Sequence, residues 1–225
     1  MFKLKLIFLS FLILFCSGCV SLPFKSIDYA PLGDINPAAW RAQFQASLPA
    51  ELELINSIVF QYKWRSFSAL GYTYLDLVNN TFRVSCMNPV GIKLFELTGG
   101  RGKIEANFVL KELLQQGDLP RAVGEDIRRV YFDMLPALEA KVEKQKNKVI
   151  FSQPFDDGTM KYVFGGSRHL LTEKHYFEKN RRLWSVYYYE FQEHQGKLYP
   201  SGILLKHHRF GYNLIIRLKE VRKNE

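Results

Sequence analysis

In the stretch Ile58-Val59-Phe60-Gln61-Tyr62-Lys63-Trp64-Arg65, the residues Ile58, Phe60, Tyr62 and Trp64 alternate with Val59, Gln61, Lys63 and Arg65. A period of two is the repeat of a strand with one face buried. Downstream lie further strand-like runs, Tyr72 to Val78, Thr81 to Met87, Ile92 to Thr98 and Lys103 to Val109. They are separated by Asn79-Asn80, Asn88-Pro89-Val90-Gly91 and Gly99-Gly100-Arg101-Gly102. Gly and Asn tolerate positive φ and Pro presets φ near −65°, so these are turns. Short turns between alternating runs make antiparallel hairpins, and the runs form a meander.

Upstream of Pro49 the period is helical. Asn36 caps Pro37 to Leu48, Pro37 suits the first turn, and Trp40, Phe44 and Leu48 form one apolar stripe. Beyond Asp118-Leu119-Pro120 a second amphipathic helix sets Val123, Ile127, Val130, Tyr131, Met134 and Leu135 against Glu125, Asp126, Arg128, Arg129 and Asp133. Pro136 breaks it, and Ala137 to Lys146 reads as another helical piece whose lysines complement its C-terminal dipole. Strands resume at Lys148 to Ser152, Met160 to Phe164, His169 to Phe177, Leu183 to Phe191, Tyr199 to His207 and Tyr212 to Val221. About ten strands around a helical insertion predict an α+β fold, mainly antiparallel β: a curved sheet or incomplete barrel with helices covering its concave face.

The 225 residues are 47% hydrophobic and 24% charged, a globular rather than disordered or collagen-like composition. The N-terminus bears on what the net charge of +9 faces. Lys3 and Lys5 precede the apolar run Leu6 to Phe15, and small Ser17-Gly18 precedes Cys19. That is an export signal over residues 1–18, too short for the ~20 residues of a membrane-spanning helix. Phe15-Cys16-Ser17-Gly18-Cys19 resembles the lipobox of bacterial lipoproteins, although Phe15 and Cys16 replace its usual aliphatic residues. The resemblance implies that Cys19 carries palmitate-like acyl chains and, with Val20 next, that the chain is sorted to the periplasmic face of the outer membrane. Residues 19–36, with Pro23, Pro31 and Gly33, read as a tether that lets the domain stand off the bilayer, and residues 37–225 as a single domain. Only Cys86 then remains, buried in a strand and without a disulfide partner. The remaining positive charge faces anionic lipid rather than nucleic acid.

Catalytic signatures are sparse. Gly165-Gly166-Ser167-Arg168 is not a nucleophile elbow, and His169, His175, His194, His207 and His208 have no metal-ligand spacing. Gly99-Gly100-Arg101-Gly102 precedes a strand rather than the helix a nucleotide needs. No metal and no cofactor is expected. Aromatic residues are abundant, 18 Phe, 12 Tyr and 3 Trp. Most fill the core, yet a concave face lined by them also suits acyl chains.

Phe82-Arg83-Val84-Ser85-Cys86-Met87-Asn88-Pro89-Val90-Gly91-Ile92-Lys93-Leu94-Phe95-Glu96-Leu97 resembles the strand, Asn-Pro-Leu-Gly loop and strand of the LolB family of outer-membrane lipoproteins. Leu119-Pro120 to Leu135-Pro136 is similar to that family's helical region, and Tyr199-Pro200-Ser201-Gly202 with Tyr212 to Val221 to its final hairpin. The resemblance implies a LolA/LolB-like half-barrel, lipoprotein or acyl-chain cargo, a periplasmic carrier protein as partner, and Val90 as the protruding, membrane-facing loop residue. Valine is smaller than the family's leucine, and the basic charge is a further departure. The chain also resembles proteobacterial lipoproteins linked with aryl-polyene pathways.

The expected function is therefore non-enzymatic lipid or lipoprotein trafficking from a lipid-anchored module. The expected cavity residues are Phe60, Tyr62, Trp64, Tyr72, Tyr74, Phe82, Val84, Phe95, Ile127, Tyr131 and Met134. Alternation leaves open which face of each strand is concave. Two alternatives remain: an enzyme or accessory factor acting on a lipid or polyene intermediate, with Arg168 and His169 or Glu173 and His175 at its mouth, and a structural envelope lipoprotein.

Overall fold

The computed structural model describes residues 23–25, 27, 29, 31–32, 36–100, 102–115 and 117–222. Twelve strands form one sheet: β1 (Glu51–Tyr62), β2 (Arg65–Asp76), β3 (Thr81–Met87), β4 (Lys93–Gly100), β5 (Lys103–Val109), β6 (Lys141–Lys144), β7 (Lys148–Phe155), β8 (Gly158–Gly165), β9 (Leu170–Glu178), β10 (Arg181–His194), β11 (Lys197–His207) and β12 (Tyr212–Arg222). Among the described residues three helices accompany them: α1 (Pro37–Ser47), α2 (Lys111–Leu114) and α3 (Leu119–Tyr131).

Every strand pair is antiparallel, in the order β5-β4-β3-β2-β1-β12-β11-β10-β9-β8-β7-β6. The chain therefore builds one meander outward from β1 and a second inward from β6, and joins them where Ile58 faces Ile216. The sheet is open and curved, with β5 and β6 as its edges. The segment carrying α2 and α3 runs from one edge to the other.

Local chemistry accounts for the helices. Asn36 Oδ1 accepts from the amides of Ala38 and Ala39, and Pro37 opens α1, whose Trp40 and Phe44 are buried. Asp118 accepts from the Arg121 amide at the start of α3. Gly124 lets α3 approach β5 closely, since a Cβ there would come within 2.3 Å of Ile104 Cδ1. Cross-strand partners share a face, so Leu54, Asn56, Leu75, Phe82, Val84 and Leu97 lie on the face that meets α3. With Ile127, Val130 and Tyr131 of α3 and Tyr162, Phe164, Val186, Tyr188, Ile203 and Leu205 of the second meander, the apolar ones among them, all but Asn56, make one cluster. Each such side chain contributes about 1.5–3 kcal/mol relative to exposure.

Two expectations differ. The helix expected to carry Met134 and Leu135 on its apolar side ends at Tyr131, where extended Phe132 and left-handed Asp133 (φ 50°) turn the chain out of the helix before Pro136. Ala137 to Lys146 is not helical: Lys141–Lys144 is edge strand β6, with Val142 opposite Phe151 and Lys144 opposite Val149. Pairing with the exposed edge of β7 overrides the helix-favouring composition of the segment.

Candidate functional site

The structure distributes the sequence-predicted cavity residues over two faces and a tip. Phe60, Phe82, Val84 and Phe95 lie on the face that meets α3, joined there by Ile127, Tyr131 and Met134. Phe82, Val84, Ile127, Tyr131 and Met134 are buried against one another in the core cluster. Tyr62 lies at the end of β1 opposite Tyr212, half in solvent. Trp64 stands in the β1–β2 turn and is 84% exposed. Tyr72 and Tyr74, opposite Ile55 and Glu53, point to the other face, where the Arg222 guanidinium lies over the Tyr72 ring.

Polar groups buried between α3 and the sheet were less visible in the sequence. Lys174 of β9 is 1% exposed, and its ammonium donates to the Phe132 carbonyl at the end of α3, at 2.6 Å. Burial pushes it down to about 8. Its cross-strand partner Tyr162 has a buried hydroxyl without a hydrogen-bond partner among the described residues. The Tyr188 hydroxyl donates to the Val130 carbonyl at 2.8 Å, and the Asn56 side-chain amide to the Tyr131 hydroxyl at 3.3 Å. Near the middle of α3, Asp126 accepts from the Tyr212 hydroxyl at 2.7 Å and from Arg129 at 2.6 Å. Burial pushes the Asp126 carboxyl up, against the pull of Arg129 and Tyr212. One signal could have exposed Lys174: in His169 to Phe177 it has the parity of Tyr176, a charge on the apolar face.

On the opposite face a hydrogen-bonded chain crosses β9 and β10. The Tyr29 hydroxyl donates to Glu173 at 3.1 Å, Glu173 meets His175 Nε2 at 2.7 Å, His175 Nδ1 meets Ser185 Oγ at 3.0 Å, and Ser185 meets His208 Nε2 at 3.0 Å. Burial alone would raise the Glu173 carboxyl, but His175 and Tyr29 hold it below the usual range. Ser185 has no exposed surface. Arg168 and His169 are not part of this chain: Arg168 is 3.7 Å from Glu193, and His169 stacks on Trp40 at 3.8 Å between ring centres.

The tether packs on that same face. Phe24 stacks on Tyr189 at 5.0 Å beneath the Arg217 guanidinium, the Lys25 amide donates to Glu190, and the Leu32 amide to the Lys146 carbonyl. Gly202 and Gly165 leave room for the Phe24 and Tyr29 rings, where a Cβ would come within 2.5 and 2.6 Å. The described residues of the segment expected as a tether are thus docked on the sheet.

In the β3–β4 loop the Asn88 side chain accepts from the Val90 and Ile92 amides at 3.1 and 2.9 Å, and Gly91 takes φ 88°. Val90 is thereby presented to solvent, 80% exposed. Two cavities of about 360 Å³ each open away from the α3 interface. One lies between the start of β1 and the β10–β11 turn, lined by Glu51, Glu53, His194 and Lys197, the other beside Tyr74, Arg83 and Lys103. Among the described residues, no three His, Cys, Asp or Glu side chains converge as a metal site, and no helix is long and apolar enough to cross a membrane.

No family model and no curated protein sequence matches the chain. Solved structures do. A putative outer membrane lipoprotein-sorting protein domain from Vibrio parahaemolyticus is 9% identical, with TM-score 0.49 over 82% of this chain and 90% of that one. A DUF1329 family protein from Desulfovibrio piger is 10% identical, with TM-score 0.49 over 83% and 92%. A LolA superfamily protein from Nitrosomonas europaea is 9% identical, with TM-score 0.57 over 85% of this chain and 95% of that one. The open antiparallel sheet with its few helices thus has a LolA-like fold.

Proposed function

We propose that the chain is a lipid-anchored carrier of acyl or other apolar chains, acting in lipid or lipoprotein trafficking without catalysis. In this reading α3 lies across the concave face and its apolar side is exchanged for cargo when it lifts. The observation that carries the reading is the α3 interface. Its apolar cluster draws on both meanders, while a few hydrogen bonds from Lys174, Tyr188, Asn56 and Tyr212 hold the helix in place. A dozen methylenes buried at ~0.8 kcal/mol each supply on the order of 10 kcal/mol before entropic costs, enough for micromolar binding.

Cys19 is the acylated anchor, at the periplasmic face of the outer membrane. Only three residues, and so four residue steps, separate it from Pro23, whose carbonyl accepts from Arg217. At about 3.5 Å per extended residue, the anchor holds the sheet within roughly 14 Å of the acyl attachment point. Val90 marks the loop from which cargo leaves, and a periplasmic carrier protein is the donor.

Mass spectrometry of lipids that co-purify with the full chain tests the reading. Acyl or polyene lipids in near-stoichiometric amount are expected, and a preparation free of them that also refuses fluorescent fatty acids overturns it. Val90→Glu spares binding and impairs transfer to liposomes. A palmitate analogue labels the wild type and not Cys19→Ser.

A further inference from the structure

Exposed apolar side chains are unevenly distributed along the strands. Because adjacent strands alternate in direction, the β1–β2, β3–β4 and β11–β12 turns share one end of the sheet. Trp64 (84% exposed), Phe210 (60%), Ile92 (52%), Phe67 (47%) and Tyr62 (40%) all lie there. At the opposite end, among the described residues, the exposed large apolar side chain is Val78. Exposed apolar groups clustered in this way mark a contact surface.

The two central tips are neighbours and are rigid. Tyr62 pairs with Tyr212, which sets the Trp64 turn beside the Phe210 turn. His207 stacks between Phe210 and Tyr212 at 4.6 and 4.9 Å, and its carbonyl accepts from the Gly211 amide. Lys63 and Arg209 lie over the Tyr62 and Phe210 rings at 5.3 and 5.6 Å. The segments 62–65, 87–93 and 207–212 contain Lys63, Arg65, Lys93 and Arg209 and no Asp or Glu, although Lys93 pairs with Glu96 at 2.6 Å; the β7–β8 and β9–β10 turns further along the same end set Asp156, Asp157 and Glu178 against Lys179 and Arg181. Aromatic rings with cations beside them and no carboxylate in the same tips suit the headgroup region of an anionic bilayer, where rings sit at the polar boundary and each cation near the surface adds attraction.

We infer that this end of the sheet docks on anionic phospholipid, with Trp64 and Phe210 as interfacial anchors and Lys63, Arg65 and Arg209 facing phosphate. The inference is independent of cargo: it concerns how the module sits on the membrane, whether or not α3 lifts.

Trp64 reports on itself, because Trp40 and Trp184 are buried. The full chain is reconstituted into vesicles of phosphatidylglycerol and phosphatidylethanolamine, and quenching is measured with aqueous iodide and with brominated acyl chains. Iodide quenching should fall several-fold relative to detergent-free solution, brominated lipid should quench, and Trp64→Phe should remove both signals. Lys63→Glu combined with Arg209→Glu should restore iodide access, as should raising the salt, since exposed charges are screened within about 8–10 Å. These are exposed turn positions, so an unchanged melting temperature confirms that the variants fold. Iodide access that is equal with and without anionic vesicles overturns the inference and assigns the end to a protein partner. Equal protection on phosphatidylcholine overturns the role of the cations. Neither outcome depends on whether lipid co-purifies with the chain.

Discussion

Lys174 Nζ, on the apolar face of β9, donates to the carbonyl of Phe132, the residue that ends α3. A cation at a helix C-terminus complements the dipole, but this one is withdrawn from water, and burial pushes it down to about 8. Between about pH 8 and pH 10 the unfolded chain therefore holds a proton that the folded chain has released. Stability should rise with pH across that window.

Lys174→Met should abolish that rise, as read from urea midpoints at pH 7, 8, 9 and 10. At pH 7 the variant should be neutral or stabilised by up to about 2 kcal/mol, because losing the buried charge offsets the orphaned Phe132 carbonyl. A wild-type midpoint that is flat over the window would count against a buried ammonium.

Tyr212→Phe removes the hydrogen bond to Asp126 and leaves that carboxylate its ion pair with Arg129. A hydrogen bond to a charged group contributes about 1.5–3 kcal/mol. The loss should fall on α3: hydrogen exchange should speed up over residues 119–131 more than over β8 to β11. If α3 is the element that lifts, fluorescent fatty acids should also bind faster.

Gly124→Ala is the rare helix position where alanine should be worse than glycine. Alanine ordinarily gains about 1 kcal/mol over glycine in a helix, yet its methyl group would sit 2.3 Å from Ile104 Cδ1. A lower melting temperature is expected, with partial recovery in Gly124→Ala/Ile104→Val, which shortens the opposing side chain. Stabilisation by the single substitution would mean that α3 and β5 are not in close contact.

Strand parity and turn chemistry made most of the sheet legible. Thr81–Met87 and Lys103–Val109 appear with the expected bounds, and Asn36 caps α1 as its position implies. Parity does not say which face is which, so it cannot separate Tyr72 and Tyr74 from Phe82 and Val84, which register sets on the opposite side. Bulges hid more: breaks at Ile55/Asn56 and Val163/Phe164 shift parity within a strand. The buried contacts of Tyr188 and Tyr212 join residues far apart in the chain, and local pattern carries no trace of them; for Lys174 the pattern offers its parity with Tyr176 but not its partner Phe132. Edge strand β6 was likewise invisible, because its conformation is imposed by β7.

Cys86 should be inert while the chain is folded. It is buried, and desolvation pushes its thiol up to about 12, whereas thiolate is the reactive form. Iodoacetamide should modify it at pH 8 only in denaturant, and rapid labelling of the native chain would show that the strand opens.

The last prediction concerns the strap formed by Phe24 and Tyr29. Gly202 lies under Phe24, and an added Cβ would come within 2.5 Å of the ring, with its base atom at 3.0 Å. The ring as a whole must therefore move. Gly202→Ala should dislodge Phe24 from Tyr189 and Arg217, contacts worth on the order of 1 kcal/mol. Tyr29→Phe acts on the same segment by removing the hydroxyl that meets Thr172 and Glu173. Both substitutions should speed tryptic cleavage after Lys25 while leaving the global urea midpoint nearly unchanged, because the core cluster on the other face is untouched. Two contacts that hold one segment are coupled, so the double variant should cleave hardly faster than the weaker single one. Cleavage after Lys25 at the wild-type rate in both variants would show that the segment is held elsewhere, and a large fall in the midpoint would make the strap part of the folding core.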